Sequence, residues 1–304
     1  MTRMHNLNEE TITQAVLASQ RNAADPRLRE IMVSLVQHLH AFARETRLTE
    51  AEWGTAIAFL TAVGQKCSDT RQEFILLSDV LGLSTLVTAQ NHKVPPGCTE
   101  PTVFGPFHVA EAPQRELGAD IAAGMKGTPC FVSGAIKTLD GGTIPDATID
   151  VWQADAEGYY DVQRPDLADY QGRAVLHSDP QGRYHFRSVV PECYPIPHDG
   201  PVGQLLQALG RHPWRPAHLH FMIQAPGYQT LVTHVFRTGD RYLDSDAVFG
   251  VRSSLIADWA CHPPGPGPDG LHHDTGFHTL AFDFILNPQD PPGQAGTSSH
   301  PARA

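Results

Sequence analysis

The feature that most constrains this chain is a change of hydrophobic period near residue 92. Before it, from residue 11, apolar residues recur at three- and four-residue steps: Leu28, Ile31, Met32, Leu35, Val36, Leu39 and Phe42 form one stripe of a helix. A second helix should start at Thr49, where Thr49 and Glu52 can form a capping box, Leu48 and Trp53 a hydrophobic staple, and Ala56, Ile57 and Leu60 its buried face. A third helical stretch, about Asp69 to Val87, is apolar around most of its circumference and belongs inside an interface. After Asn91 the composition turns to Pro, Gly and Thr (KVPPGCTEPTVFGPFHV), an ordered linker or lid. From Pro129 the period becomes two. Strands are expected at Phe131–Lys137, Thr148–Gln153, Tyr184–Val189, His218–Gln224, Thr230–Phe236 and Thr279–Leu286, with turns at Asp140-Gly141-Gly142 and Asp179-Pro180-Gln181-Gly182. The pattern predicts an α+β chain: a helical domain over 1–92, a linker over 93–128, a β-sandwich over 129–288 and a disordered tail over 289–304.

Composition removes several function classes. A net charge of −11 repels phosphate backbones and anionic lipid surfaces, so nucleic acid is not an expected partner. No uncharged apolar run approaches membrane-helix length, since even Phe74–Val87 contains Asp79, and the first ten residues lack the apolar core of a secretory signal. Five cysteines, odd in number, scattered and never in a CxxC pair, fit reduced thiols in a cytoplasmic protein. The 17 histidines are numerous for this length, and several fall near tyrosines.

The sharpest local motif is RPAHLHF, Arg215 to Phe221, opening a predicted strand. Alternation turns His218 and His220 to one face and Leu219 and Phe221 to the other, and two imidazoles at i and i+2 make a ready chelate. Tyr159 and Tyr160 follow the strand Thr148–Gln153 in WQADAEGYYDVQ, and Tyr194 lies between prolines in PECYPIP. The carboxylates that zinc, calcium or a ferrous facial triad would need are absent near the histidine pair. A ferric ion instead favours phenolate oxygen, and two phenolates, two neutral imidazoles and one hydroxide would balance its charge.

These residues resemble the intradiol ring-cleaving dioxygenases, whose mononuclear non-haem Fe(III) is held by two tyrosines and two histidines. The likeness runs from about residue 8 to 287 and is closest to the hydroxyquinol-cleaving branch, through HLHAFARETRLTEAEW, RQEFILLSDVLGLS, TVFGPF, YPIPHDGPVG and YLDSDAVFGV. It implies one Fe(III) per subunit, with Tyr160, Tyr194, His218 and His220 as ligands. Tyr160 is preferred to Tyr159 because the family ligand lies eight residues after the strand tryptophan, here Trp152. In TLVTHVF, His234 stands where catechol 1,2-dioxygenases carry glutamine, as in the hydroxyquinol branch.

The resemblance further implies bidentate binding of the substrate as a dianion that displaces Tyr194, with the freed bases taking its protons. O2 would then add to the ring, and Arg215 would stabilise the developing negative charge. For hydroxyquinol (benzene-1,2,4-triol) the product is 3-hydroxy-cis,cis-muconate, the enol of maleylacetate, with no external reductant or organic cofactor. Substrate contacts are implied for Leu76, Asp79, Val103, Phe104, Gly105, Pro106, Phe107, Ile196, Pro197, Arg215 and Val248. A buried Asp79 carboxylate needs a donor, which a third substrate hydroxyl could supply. His234 could orient a ligand or substrate oxygen. Family members are typically homodimers through N-terminal helices and can hold a lipid there. Competing readings are a catechol or chlorocatechol 1,2-dioxygenase, a colourless transthyretin-like β-sandwich that only binds, and a cupin-type metal enzyme, whose ligand set normally includes a carboxylate.

Overall fold

The computed structural model describes residues 5–68, 71–164 and 167–289, so the tail expected after Gln289 lies outside the described residues. Its contacts divide the chain into two compact units, Met1–Gln65 and Lys66–Ala304. The change of composition at residue 92 does not coincide with that division.

The first unit is helical: α1 Ile12–Ser19, α2 Pro26–Thr46 and α3 from Glu50 to its end at Lys66. Helix α2 starts cleanly, because Asp25 accepts hydrogen bonds from the backbone N–H groups of Arg27 and Leu28 and Pro26 occupies the first turn. The Thr49–Glu52 capping box is formed: Thr49 N–H donates to Glu52 Oε2 at 2.9 Å and Glu52 N–H to Thr49 Oγ1 at 3.3 Å. No residue of α2 is buried, and Leu28, Ile31, Leu35, Leu39 and Phe42 of its stripe are all exposed.

In the second unit the single helix expected over Asp69–Val87 is two, α4 Glu73–Val80 and α5 Leu83–Asn91, bent by 79° at Leu81-Gly82. Gly82 takes φ 74°, a left-handed conformation that ends one helix and starts the next. Leu76, Leu77, Asp79 and Val80 are buried, but Phe74, Ile75, Leu81, Leu83, Leu86 and Val87 are exposed, so burial covers only part of the circumference. Helix α6, Pro201–Ala208, packs on α4. Among the described residues no single helix is long and apolar enough to cross a membrane.

The strands are β1 Pro129–Lys137, β2 Thr148–Trp152, β3 Arg173–His177, β4 Arg183–Val189, β5 Tyr194–Pro195, β6 Trp214–Arg215, β7 His218–Gln224 and β8 Leu231–Arg237. They continue with β9 Ile256–Ala257, β10 Trp259–His262, β11 Gly265–Pro266, β12 His272–His273, β13 Phe277–Ala281 and β14 Phe284–Ile285. One sheet runs β10-β13-β1-β14, with β4 also paired to β1; the other runs β3-β2-β7-β8-β9. The expected strand Thr279–Leu286 is split into β13 and β14, which pair with β1 in one continuous register. Between them the Asp283 carboxylate accepts the Ala135 N–H at 2.8 Å, doing the work of a ladder carbonyl. Strands β3 and β10 had no counterpart in the sequence-based expectation.

The two sheets close on one apolar core. Val132, Ile136, Tyr184, Phe186 and Phe284 meet Ile149, Val151, Leu219, Phe221, Ile223 and Val235 there. Strand alternation therefore turns Trp152, His218, His220, His234 and Phe236 to the other face of the second sheet, and all five are buried there too.

Candidate active site on the outer face of the second sheet

Register places three of these side chains in a row across β2, β7 and β8: Trp152 pairs with His220, and His220 with His234. The His220 ring stacks on Trp152 at 4.7 Å and 12°, and lies 4.2 Å from His234. Gly105, at φ 76°, brings its backbone over the same imidazole; a Cβ there would stand 3.1 Å from His220 Cε1. Only glycine suits both the conformation and the approach.

Tyr160 precedes a short 3-10 turn, Asp161–Gln163, and its backbone N–H donates to the Gln163 side chain at 2.9 Å. That loop is fixed from behind by a buried ion pair between Asp161 and Arg173, in which Arg173 Nε donates to Asp161 Oδ2 at 2.7 Å. Arg173 also donates to the Phe107 carbonyl at 3.0 Å, and Phe107 stacks on the Tyr160 ring at 4.4 Å. Tyr160 is fully buried, whereas its neighbour Tyr159 is half exposed and lies under the Arg164 guanidinium. Tyr194 sits on β5, paired across to Arg215 on β6. Gly158, at φ 84°, permits this, since a Cβ there would stand 2.7 Å from Tyr194 Cβ.

Four side-chain atoms converge. Tyr160 Oη is 3.2 Å from Tyr194 Oη and 2.9 Å from His220 Nε2, which is 3.1 Å from His218 Nε2. The His218 Nδ1–H donates to the Pro216 carbonyl at 2.7 Å, so its Nε2 carries a lone pair into the cluster. Burial, with the Arg215 charge, pushes His218 down to about 3. Burial and neighbouring imidazoles hold His220 and His234 well below the ordinary histidine value, so all three rings are neutral, the form that ligates metals. Burial, then Tyr194, raises the Tyr160 phenol well above its ordinary value, so only a bound cation would ionise it near neutral pH. His220 Nδ1 and His234 Nε2 are buried without a protein partner.

One ring nitrogen each of His218, His220 and His234 lie within 4.8 Å of one another, and among the described residues no carboxylate joins that group. Neutral imidazole lone pairs facing phenol oxygens fit a hard trivalent cation, which two ionised phenols would leave at a net +1 that one hydroxide balances. The Nδ1 atoms of His218 and His234 are both hydrogen-bonded, that of His234 to Thr102 Oγ1, whereas that of His220 has no protein partner.

Arg215 is buried beside this cluster, with Nη1 3.4 Å from His218 Nε2 and its fork on Asp246, Nε to Oδ1 at 3.1 Å and Nη2 to Oδ2 at 3.3 Å. Burial would raise the Asp246 carboxyl, but the guanidinium and the Gly250 N–H hold it below the usual range. Asp79, buried nearby, is displaced upward, chiefly by desolvation. Asp246 and the Asp161–Arg173 pair are structural partners that no local sequence pattern marks.

A cleft of about 750 Å³ opens onto Tyr194 and Arg215. Of the residues expected to contact substrate, Leu76, Asp79, Val103, Gly105, Pro106, Phe107, Ile196, Pro197, Arg215 and Val248 line it. Phe104 does not; it packs against His108 at 4.8 Å and Trp152 at 6.0 Å. Tyr160, His218, His220 and His234 lie behind the lining.

A family model described as Dioxygenase matches residues 103–288, and one described as Catechol dioxygenase N terminus matches residues 25–99. The chain is 59% identical over 285 residues to 6-chlorohydroxyquinol 1,2-dioxygenase of Cupriavidus pinatubonensis, spanning 94% of this chain and 99% of that one. It is 51% identical to hydroxyquinol 1,2-dioxygenase of Nocardioides simplex, over 92% of this chain and 96% of the other. Among solved structures it is similar to a hydroxyquinol 1,2-dioxygenase from Pseudomonas putida, with TM-score 0.87, 46% identity and 92% and 99% coverage of the two chains. It is also similar to catechol 1,2-dioxygenase from Pseudomonas arvilla, with TM-score 0.81, 27% identity and 98% and 97% coverage.

Proposed function

Because the chain belongs to the intradiol ring-cleaving dioxygenase family, we propose that it opens hydroxyquinol with O2 to 3-hydroxy-cis,cis-muconate, the enol of maleylacetate, in aromatic catabolism. The observation that carries this reading to the site is the convergence of two phenol oxygens and two neutral imidazole nitrogens beside a 750 Å³ cleft. Intradiol dioxygenases depend on non-haem iron. Tyr160, Tyr194, His218 and His220 would hold one Fe(III) per chain, which would supply Lewis-acid activation of two adjacent substrate oxygens.

The protein's own groups do the rest. Tyr194, the one of the two tyrosines that lines the cleft, would, in the tyrosinate form that a bound trivalent cation stabilises, take a substrate hydroxyl proton at its Oη and become a neutral phenol. Arg215, fixed by Asp246, is a charged group already in place to compensate negative charge building on the substrate, without reorganisation. His234, pinned through Nδ1 to Thr102 and packed against the rings of His218 and His220, orients those imidazoles from behind the cleft. Leu76, Val103, Pro106, Phe107, Ile196, Pro197 and Val248 give the ring apolar walls, Gly105 leaves it room, and Asp79 is a buried polar group beside the third hydroxyl. Phe104 supports this wall from behind.

Copies of the chain pair through the exposed stripe of α2, a face able to hold a lipid. The scattered free cysteines suit a cytoplasmic setting. Oxygen uptake by iron-replete protein, with enzyme-free autoxidation subtracted, tests the reading. Hydroxyquinol should be strongly preferred to catechol; a preference for catechol would move the chain to the catechol 1,2-dioxygenases.

A further inference from the structure

The cleft contains a second ordered polar pair that the reaction as described does not use. His108 lines the cleft and its Nε2 lies 2.7 Å from Asp150 Oδ2, with side chains only 12% and 6% exposed. Asp150 is on β2, on the outer face of the sheet, and His108 is in the segment between α5 and β1, so topology alone joins them. The imidazole is held edge-on between Phe104 at 4.8 Å and Trp152 at 5.0 Å. Trp152 in turn stacks on His220, so His108 stands one indole away from the cluster. An ionised carboxylate only accepts, so the bond to Asp150 is donated by Nε2–H, and in the neutral ring this leaves Nδ1 as the acceptor nitrogen. Nδ1 has no protein partner and is not among the buried unpartnered atoms, so it is accessible to solvent on a residue that lines the cleft.

We infer that His108, held in one tautomer by Asp150, is a substrate-binding residue whose Nδ1 accepts a hydrogen bond from a ring hydroxyl that does not take part in the cleavage. The inference rests on the hydroxyquinol reading and deepens it. Catechol has no such hydroxyl, whereas the triol has one, with a single proton to donate: His108 Nδ1 takes that bond, and Asp79, which also lines the cleft, is then a polar neighbour of the hydroxyl rather than its acceptor. A site that hydrogen-bonds a substrate hydroxyl discriminates against the analogue lacking it, because its own polar atom is then left unpaired.

Two substitutions separate binding from wall support. His108→Gln places its amide nitrogen near the position of Nε2, keeping the bond to Asp150 while removing the acceptor. His108→Asn places an oxygen near the position of Nδ1 while giving up Asp150. Steady-state kinetics of the iron-loaded variants with both diphenols, alongside iron content and melting temperature, form the test. His108→Gln should lower kcat/KM for hydroxyquinol about tenfold, mostly through KM, and leave catechol within about threefold. His108→Asn should retain more of the hydroxyquinol preference than His108→Gln. Equal losses on both substrates, or a His108→Gln enzyme with wild-type preference, would overturn the assignment while leaving the hydroxyquinol reading intact. A wild-type enzyme that does not prefer hydroxyquinol would overturn both.

Discussion

Strand β7 carries two kinds of buried surface. Leu219, Phe221 and Ile223 face the first sheet and are wholly enclosed by carbon, while His218 and His220, on the alternate positions, are equally enclosed on the outer face. The difference lies in what is left unpaired. Three outer-face atoms, His220 Nδ1, His234 Nε2 and Trp152 Nε1, are buried without a protein partner. Burial of polar groups without partners costs stability, so the inner face accounts for why the sheet folds and the outer face for what it is folded around.

Substitutions at adjacent positions can break or sharpen that contrast. The largest effect should come from His220→Phe, which keeps the stack on Trp152 but removes the nitrogen proposed to ligate iron. Iron content should fall to background and oxygen uptake by roughly 10³-fold or more. Its iron-free form should unfold in urea within about 1 kcal/mol of the iron-free wild type, because an unpartnered atom goes with the imidazole. A loss of several kcal/mol would mean that the outer face is ordinary core. Phe221→Ala, one residue on, should do the opposite: about 3–5 kcal/mol of stability lost in urea, with iron per folded chain unchanged. Asp79→Ala is smaller, lowering the hydroxyquinol-to-catechol ratio of kcat/KM about tenfold; an unchanged ratio would remove Asp79 from specificity.

The smallest effect belongs to the rim of the cleft, where Asp199 accepts from Lys66 Nζ at 2.9 Å and Arg71 Nη1 at 2.6 Å. These two cations lower the Asp199 carboxyl from 3.8 to about 2. Since the folded value lies below the ordinary one, the stabilisation is fully present above 3.8 and is lost as pH falls through about 2. Asp199 is largely exposed, so Asp199→Asn should lower the melting temperature by only about 1 °C at neutral pH. That difference should shrink below about pH 4; a constant difference would assign it to something other than the charge.

How far the sequence could be read follows from the range of each interaction. Strand β7 was legible to the residue, and with it the division of faces, because alternation is local. The capping box at Thr49 was legible for the same reason. The single helix expected over Asp69–Val87 fails at Gly82, where apolar periodicity continues across a break that one left-handed glycine makes. Strand β3 has five residues and its burial pattern does not alternate, so it offered no period to detect. At the site, tyrosines and histidines could be named from motifs, but their partners could not. Arg173 for Asp161, Asp246 for Arg215 and Asp150 for His108 are 12, 31 and 42 positions away, and no local pattern joins such pairs before the sheet does.

The central claim, that Tyr160 and Tyr194 complete an Fe(III) site with the histidines on the outer face of the second sheet, is tested most directly by the visible spectrum of the iron-loaded protein. A broad charge-transfer band giving a red-brown solution is predicted for the wild type and for Tyr159→Phe, with the band shifted or weakened in Tyr160→Phe. A colourless iron-loaded protein, or a band indifferent to Tyr160→Phe and lost in Tyr159→Phe, would contradict it.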